Sequence, residues 1–254
     1  MTVDRGLCST FTVVSWNIEL GLDLSLAAHE LLSTQGLPPA DVLLAQELSP
    51  GQAVELADIL GWDHHYYAPD RHKKTGQLFG NAVLSPWPLR PLIGADLEHS
   101  APIQGQQRGV TGAHVLISDQ PIAAFSTHLE TPLLSVRRRL LQVRSLVRAV
   151  NASSQSLPTV VGGDFNTASR RSQTAVAGEL QSVGLELVTS PMMCSFRRFR
   201  REFSLDHIHG RELRSVASGV AATQASDHDP VWASLESIDE CAINSARHDP
   251  EGAS

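Results

Sequence analysis

The chain has 254 residues, 42% of them apolar and 19% charged, enough to bury a sizeable core in one domain or two. A net charge of −7 argues against a general nucleic-acid coat protein, and no run approaches the eighteen apolar residues of a membrane span. Cys8, Cys194 and Cys241 are widely spaced with no CxxC pair, which excludes a zinc ribbon or a disulfide framework; with no basic-then-apolar leader at the start, the expectation is a cytoplasmic protein.

In chain order, residues 11–19 read as a buried strand with polar residues at its end, where Asn17 and Glu19 share parity and so a face. A helix is predicted from about Asp23, with Leu24, Ala27 and Leu31 in its apolar stripe and Gly36 and Pro38-Pro39 as its stop. A short strand over 41–47 delivers Glu47, and a helix over 51–60 is closed by Gly61. Strands over 63–67 and 78–85 flank a polar loop at 69–76 that holds both lysines, Lys73 and Lys74. Pro86 and Pro88 break the second of them.

Strands over 108–117 and 121–127 follow, the latter running into His128. Residues 133–150 carry Leu133, Val136, Leu140, Val143 and Val147 at helical steps, with Arg137, Arg138, Arg139, Arg144 and Arg148 assigned to solvent. Next, Val160-Val161-Gly162-Gly163-Asp164-Phe165-Asn166 feeds a β-branched run through two glycines to a carboxylate and a carboxamide two residues apart. These would point the same way if the strand continues that far. A helix over 172–183 ends at Gly184. Arg197, Arg198, Arg200 and Arg201 surround Phe199, a mix that suits phosphate contacts and stacking but also an exposed loop. Strands at 203–208, with Asp206 in an apolar setting, and at 231–235, opened by Ser226-Asp227-His228-Asp229-Pro230, complete the set.

Charge is uneven along the chain. Residues 137–214 hold thirteen Arg against six Asp or Glu, a local surplus of +7 that leaves −14 elsewhere. The expected partition is an N-terminal extension at 1–10, one domain at 11–236, and a disordered tail at 237–254 that lacks periodicity.

The motifs Trp16-Asn17-Ile18-Glu19, Gln46-Glu47, Gly80-Asn81, Ser126-Thr127-His128-Leu129, Gly163-Asp164-Phe165-Asn166, Leu205-Asp206-His207-Ile208 and Ser226-Asp227-His228 together resemble the endonuclease/exonuclease/phosphatase superfamily, also called DNase-I-like. The order holds along 11–235, and His128 places the resemblance in the histidine-containing branch. It implies a four-layer α/β sandwich, two mixed sheets face to face with helices outside, and an active site built from strand ends. It also implies Mg²⁺, with Mn²⁺ as a substitute, held by Glu47, Asn17, Asp227 and Glu19. Such a hard cation suits phosphoester hydrolysis because it takes few carboxylates, keeps waters and accepts phosphate oxygens.

By the same resemblance His228, paired with Asp206, either takes a proton from the attacking water or binds the phosphate. Asp164 competes for water activation, Asn166 orients the nucleophile or a phosphate oxygen, and His128 donates to a phosphate oxygen or the leaving group. Asn81, Arg108, Arg198 and Arg200 are the candidate substrate contacts, and His207 is expected to face away from the site. The reading is a monomeric phosphodiesterase or nuclease acting on nucleic acid. Its alternatives are a hydrolase of a lipid or small-molecule phosphoester and, more remotely, an inactive phosphoester-binding module.

Overall fold

The apolar run 11–17 becomes β1 (Phe11–Asn17), buried at every residue. The structure, a computed structural model, describes residues 10–33, 36–73, 75–98, 105–131, 134–154, 156–198 and 201–238. Helix α1 (Leu24–Ser33) returns the chain so that β2 (Val42–Leu48) lies parallel to β1. Helix α2 (Pro50–Leu60) starts on a capping box between Ser49 and Gln52 and ends on Gly61, whose φ of 67° the absence of a Cβ permits.

β3 (Asp63–Arg71), β4 (Leu78–Ser85), β5 (Leu89–Leu97), β6 (Arg108–Ile117) and β7 (Gln120–His128) follow, then α3 (Val136–Ser153), which carries the chain to β8 (Thr159–Asp164), parallel to β7. After α4 (Arg170–Gln181) come β9 (Glu186–Leu187), β10 (Phe196–Arg198), β11 (Arg201–Phe203), β12 (Asp206–Arg211), β13 (Leu213–Val220) and β14 (Val231–Ser237). One six-stranded sheet runs β13-β14-β1-β2-β4-β3, the other β5-β6-β7-β8-β12-β9, and β10 and β11 form a separate ribbon.

Alternation along the strands decides the layers. Val13, Leu44, Val83, Val115, Val160 and Ile208 fill the space between the sheets. Their neighbours in sequence point outward: Val14, Trp16 and Leu43 pack with Leu31 of α1 and Leu56 of α2, while Phe125 and Val161 pack with Val143 of α3 and Leu180 of α4. The result is the helix, sheet, sheet, helix sandwich implied by the motifs. Each fully buried side chain of this size contributes about 1.5 to 3 kcal/mol, so the central layer carries much of the stability.

Two glycines let the layers close beside the polar strand ends. A Cβ on Gly162 would stand 2.7 Å from Leu44 Cδ1 of the opposite sheet, and one on Gly163 would meet the Thr127 carbonyl oxygen. The register then aligns the chemistry. His128 on β7 and Asp206 on β12 both pair with Asp164 on β8, and Asn17 on β1 pairs with Gln46 on β2.

Of the strands not anticipated, β5, β9 and β13 lie at the edges of the two large sheets. Pro91 and Gly94 in β5 and Gly219 in β13 blur the pattern, as edge positions tolerate. Edge strand β3 likewise runs through Pro69 to Arg71, into what reads as loop. The arginine-rich stretch is the β10–β11 ribbon rather than a bare loop. Arg139 also departs from the expected solvent face: it is 1% exposed and donates to the carbonyls of Glu130 (2.7 Å), Thr131 (2.8 Å) and Phe165 (2.9 Å). Ser237 closes β14, while residues 1–9 and 239–254 of the expected extension and tail lie outside the described residues.

Candidate active site

The C-terminal ends of β1, β2, β7 and β8 and the start of β12 converge on one cavity of about 810 Å³. Asn17, Glu19, Glu47, Arg108, His128, Asp164, Asn166, Asp227 and His228 line its polar floor, and Phe196, Phe203 and Leu205 form an apolar wall. Strand ends leave their last side chains free of the core while the sheet fixes the backbone, which is why the chemistry gathers there.

Asp164 is the hub of the floor. It is 2% exposed; its Oδ1 accepts from the Asn166 N–H at 2.8 Å, and its Oδ2 lies 3.3 Å from both Asn17 Nδ2 and His128 Nε2 and 3.9 Å from His228 Nε2. Burial, and then the neighbouring Asp206 charge, push its carboxyl up to about 7. Asn166 does not extend the strand. Its φ of 51° turns it back toward its neighbours, so that Nδ2 sits 3.2 Å from His128 Nε2 and donates to the Leu129 carbonyl at 3.1 Å.

His228 Nδ1 lies 2.8 Å from Asp206 Oδ2, and its ring stacks on Phe196 at a centroid distance of 4.6 Å. Burial works against the imidazolium, but the Asp206 and Asp164 carboxylates outweigh it and raise His228 to about 10. The ring is therefore cationic at neutral pH and offers Nε2–H to the cavity side. Trp16 Nε1 donates to the His228 carbonyl at 2.8 Å, and Ser226 Oγ donates to the Asn17 carbonyl at 2.7 Å, tying the last loop to β1.

His128 is different. Burial, and then the Arg108 guanidinium, hold it well below its usual value, so it is neutral. Arg108 Nη1 lies 3.1 Å from His128 Nδ1, and a guanidinium can only donate, so Nδ1 accepts and Nε2 carries the proton toward Asp164. Arg108 is 7% exposed, its Nη2 is 3.6 Å from Glu130 Oε1, and it lies over the Phe79 ring at 5.7 Å. Its buried Nε has no partner among the described residues.

On the opposite side, Asn17 Nδ2 donates to Glu47 Oε1 at 3.2 Å, and Glu19 Oε2 accepts from the Asp227 N–H at 3.0 Å. Burial, then Asp227 and Glu47, raise the Glu19 carboxyl, because three acidic side chains share this rim. An all-oxygen donor set that crowds its own negative charge fits a hard divalent cation. Asp164, Asp206 and His228 also bring ligand atoms within 4.8 Å of one another, although His228 Nδ1 is already 2.8 Å from Asp206 Oδ2. Glu47 sits at φ 67°, where the register of β2 against β4 slips, and left-handed geometry in such a residue costs about 1 to 3 kcal/mol. Strict alternation along β2 therefore could not have placed it.

Not every expected contact is at the cavity. Asn81 is 3% exposed and donates to the Gly109 carbonyl at 2.8 Å, a strut between the sheets rather than a substrate group. Arg200 and the side chain of Arg198 lie outside the described residues, and among the described residues the ribbon arginine that lines the cavity is Arg201. His207 faces away, its Nε2 3.3 Å from Thr167 Oγ1. Phe196, Phe203 and Leu205 were not anticipated as lining residues; the aromatics flanking the arginine run were the available signal. Among the described residues no helix is long and apolar enough to cross a membrane.

Similar proteins share this framework. A chain segment is 26% identical over 201 residues to tyrosyl-DNA phosphodiesterase 2 of Xenopus laevis, covering 74% of this chain and 50% of that protein. The chain spans about half the length of the curated relatives it matches. Among solved structures, D. rerio TDP2 complexed with single-strand DNA product aligns over 90% of this chain and 100% of that one, at 17% identity and a TM-score of 0.65. A mannosyl-6-phosphatase of Bacteroides thetaiotaomicron aligns over 89% and 99%, at 17% identity and a TM-score of 0.64. Residues 14–228, from β1 to the His228 loop, match the Endonuclease/Exonuclease/phosphatase family, and the chain belongs to that family.

Proposed function

We propose that the chain is a Mg²⁺-dependent phosphodiesterase that cleaves nucleic-acid phosphoesters by in-line attack of water, with Mn²⁺ as a substitute cation. The observation that carries this reading is the division of one cavity into an acidic rim (Glu19, Glu47, Asp227, with Asn17) and a donor floor (His128, Asn166, His228) on either side of Asp164. Glu47, Asn17, Asp227 and Glu19 would hold the cation, which supplies charge neutralisation at the phosphoryl oxygens. Asp164 faces the attacking water and takes its proton. Cationic His228, oriented by Asp206, donates a hydrogen bond from Nε2 to a non-bridging oxygen, and neutral His128 donates a hydrogen bond from Nε2 to another oxygen or to the leaving oxygen, which takes its proton from solvent. Asn166 holds the nucleophile or a phosphate oxygen, and Arg108, whose Nε has no partner among the described residues, adds charge beside it.

Support for a polymeric substrate comes from exposed arginines at the starts of two helices. Arg137 and Arg138 lie in the first turn of α3, and Arg170 and Arg171 in that of α4. All four are exposed, and no ion-pair partner is found for them among the described residues. Cations at helix starts oppose the macrodipole, so they offer more to an external polyanion than to their own helices. Arg201 and the Phe196–Phe203 wall add a cation and stacking surface for an unpaired base.

The runner-up, a phosphatase of a sugar or lipid ester, is favoured by the −14 balance of the rest of the chain. A panel of single- and double-stranded oligonucleotides, sugar phosphates and phosphoinositides, each with Mg²⁺, separates the two. Oligonucleotide cleavage is expected; release of inorganic phosphate from the small esters without any oligonucleotide cleavage would select the runner-up.

A further inference from the structure

Two segments that carry the proposed cation donors leave their strands in left-handed conformations. Glu19, Leu20 and Gly21 follow β1 with φ of 35°, 58° and 61°, and Glu47 interrupts β2 at 67°. Such backbones persist only where their surroundings hold them. One side chain reaches both.

Gln52, in the first turn of α2, accepts the Ser49 N–H at 2.8 Å through Oε1, and Ser49 Oγ accepts the Gln52 N–H in return, so the capping box fixes the chain two residues after Glu47. Through Nε2 the same amide donates to the carbonyls of Leu20 at 2.6 Å and Gly21 at 3.2 Å. The turn is shaped around it: a Cβ on Gly21 would stand 2.6 Å from Gln52 Nε2. At the start of that turn the Glu19 N–H donates to Asn17 Oδ1 at 3.2 Å, so the turn and the Asn17 side chain move together. Gln52 does not itself line the cavity.

We infer that Gln52 is a positioning residue for the cation: its one carboxamide ties the end of β1 to the end of β2 and so sets the spacing of Asn17, Glu19 and Glu47. The inference rests on the assignment of those three residues as cation donors. Nothing in it requires Gln52 to touch substrate or metal. The amide acts through the backbone, as groups behind metal ligands do.

The variant Gln52→Glu isolates this role. It keeps the oxygen that accepts the Ser49 N–H, and with it the capping box, but sets a carboxylate oxygen against two carbonyls in place of the donor. In calorimetric titration of the full chain with Mg²⁺, the dissociation constant is expected to rise about 10- to 100-fold. The metal-free chain should still melt cooperatively, with a lowered midpoint, and the hydrolysis rate should recover at saturating Mg²⁺. Gly21→Ala crowds the same contact from the other side and is expected to weaken Mg²⁺ binding in the same way, which keeps the test open if Gln52→Glu does not fold. Wild-type Mg²⁺ affinity in a folded variant would overturn the role of Gln52. A wild-type chain that takes up no Mg²⁺, or a Glu47→Gln variant that binds it as well as wild type, would instead overturn the donor assignment beneath it.

Discussion

Arg139→Met should be among the most damaging single substitutions on α3. The guanidinium is buried and donates three hydrogen bonds, to the carbonyls of Glu130, Thr131 and Phe165. Hydrogen bonds from charged groups contribute about 1.5 to 3 kcal/mol each, against which stands the desolvation that lowers Arg139 to about 10. Methionine fills much of the volume but leaves three carbonyls, two of them buried, without this donor, so the net loss should be about 3 to 5 kcal/mol. For a domain of this size that corresponds to a fall of roughly 6 to 20 °C in Tm. Urea unfolding should show the midpoint drop with an unchanged slope. Because the three carbonyls lie just after His128 and Asp164, activity should fall at temperatures where the variant is still folded. Arg138→Met, one residue earlier and exposed, should stay within about 0.5 kcal/mol of wild type. Equal stability of the two variants would refute the reasoning.

Other outcomes follow from the same geometry. Burial, and then His207, lower His209 to about 3, so between the unfolded value of 6.5 and that point only the unfolded chain takes up the proton. The stability it contributes is full above pH 6.5 and is lost on acidification by about 1.4 kcal/mol per pH unit; His209→Gln should show a shallower decline in urea midpoint between pH 7 and 5, and an identical decline would contradict the assignment. Gly163→Ala drives a Cβ into the Thr127 carbonyl oxygen, whereas Gly162→Ala meets the movable end of Leu44. The first should therefore cost about 1 to 3 kcal/mol or more and the second less, and thermal melts that reverse this order would show the close approach is misplaced. Replacing Arg137, Arg138, Arg170 and Arg171 by Gln should reduce the slope of log affinity against log salt for single-stranded DNA by up to about 3; an unchanged slope would remove those arginines from the binding face.

The central strands were legible because their residues are apolar on both faces, and the order of polar strand ends pointed to the family. What escaped has physical causes. β5 and β13 are edge strands whose proline and glycines dilute the periodicity, and β9, also an edge strand, is only two residues long. Arg139 reads as a solvent residue because sequence carries no sign of the three carbonyls that converge on it. The resemblance implies Asn81 as a substrate contact, but a polar residue inside a strand is ambiguous until the facing sheet is placed, and here the Gly109 carbonyl accepts its hydrogen bond. The side chains of Glu47 and Asn166 reach the cavity from left-handed backbone, which alternation cannot foresee. Their residue types were readable; their orientation was not.

The account turns on whether hydrolysis depends on a cation held by the acidic rim. The direct measurement is the rate of single-stranded oligonucleotide cleavage as Mg²⁺ is removed by chelator and restored, for wild type and for Glu47→Gln. Wild-type cleavage should vanish with chelator and return with Mg²⁺, and Glu47→Gln should lose at least ~10²-fold, the scale of removing one electrostatic group from an active site. Cleavage that persists in chelator, or a Glu47→Gln rate equal to wild type, would contradict it.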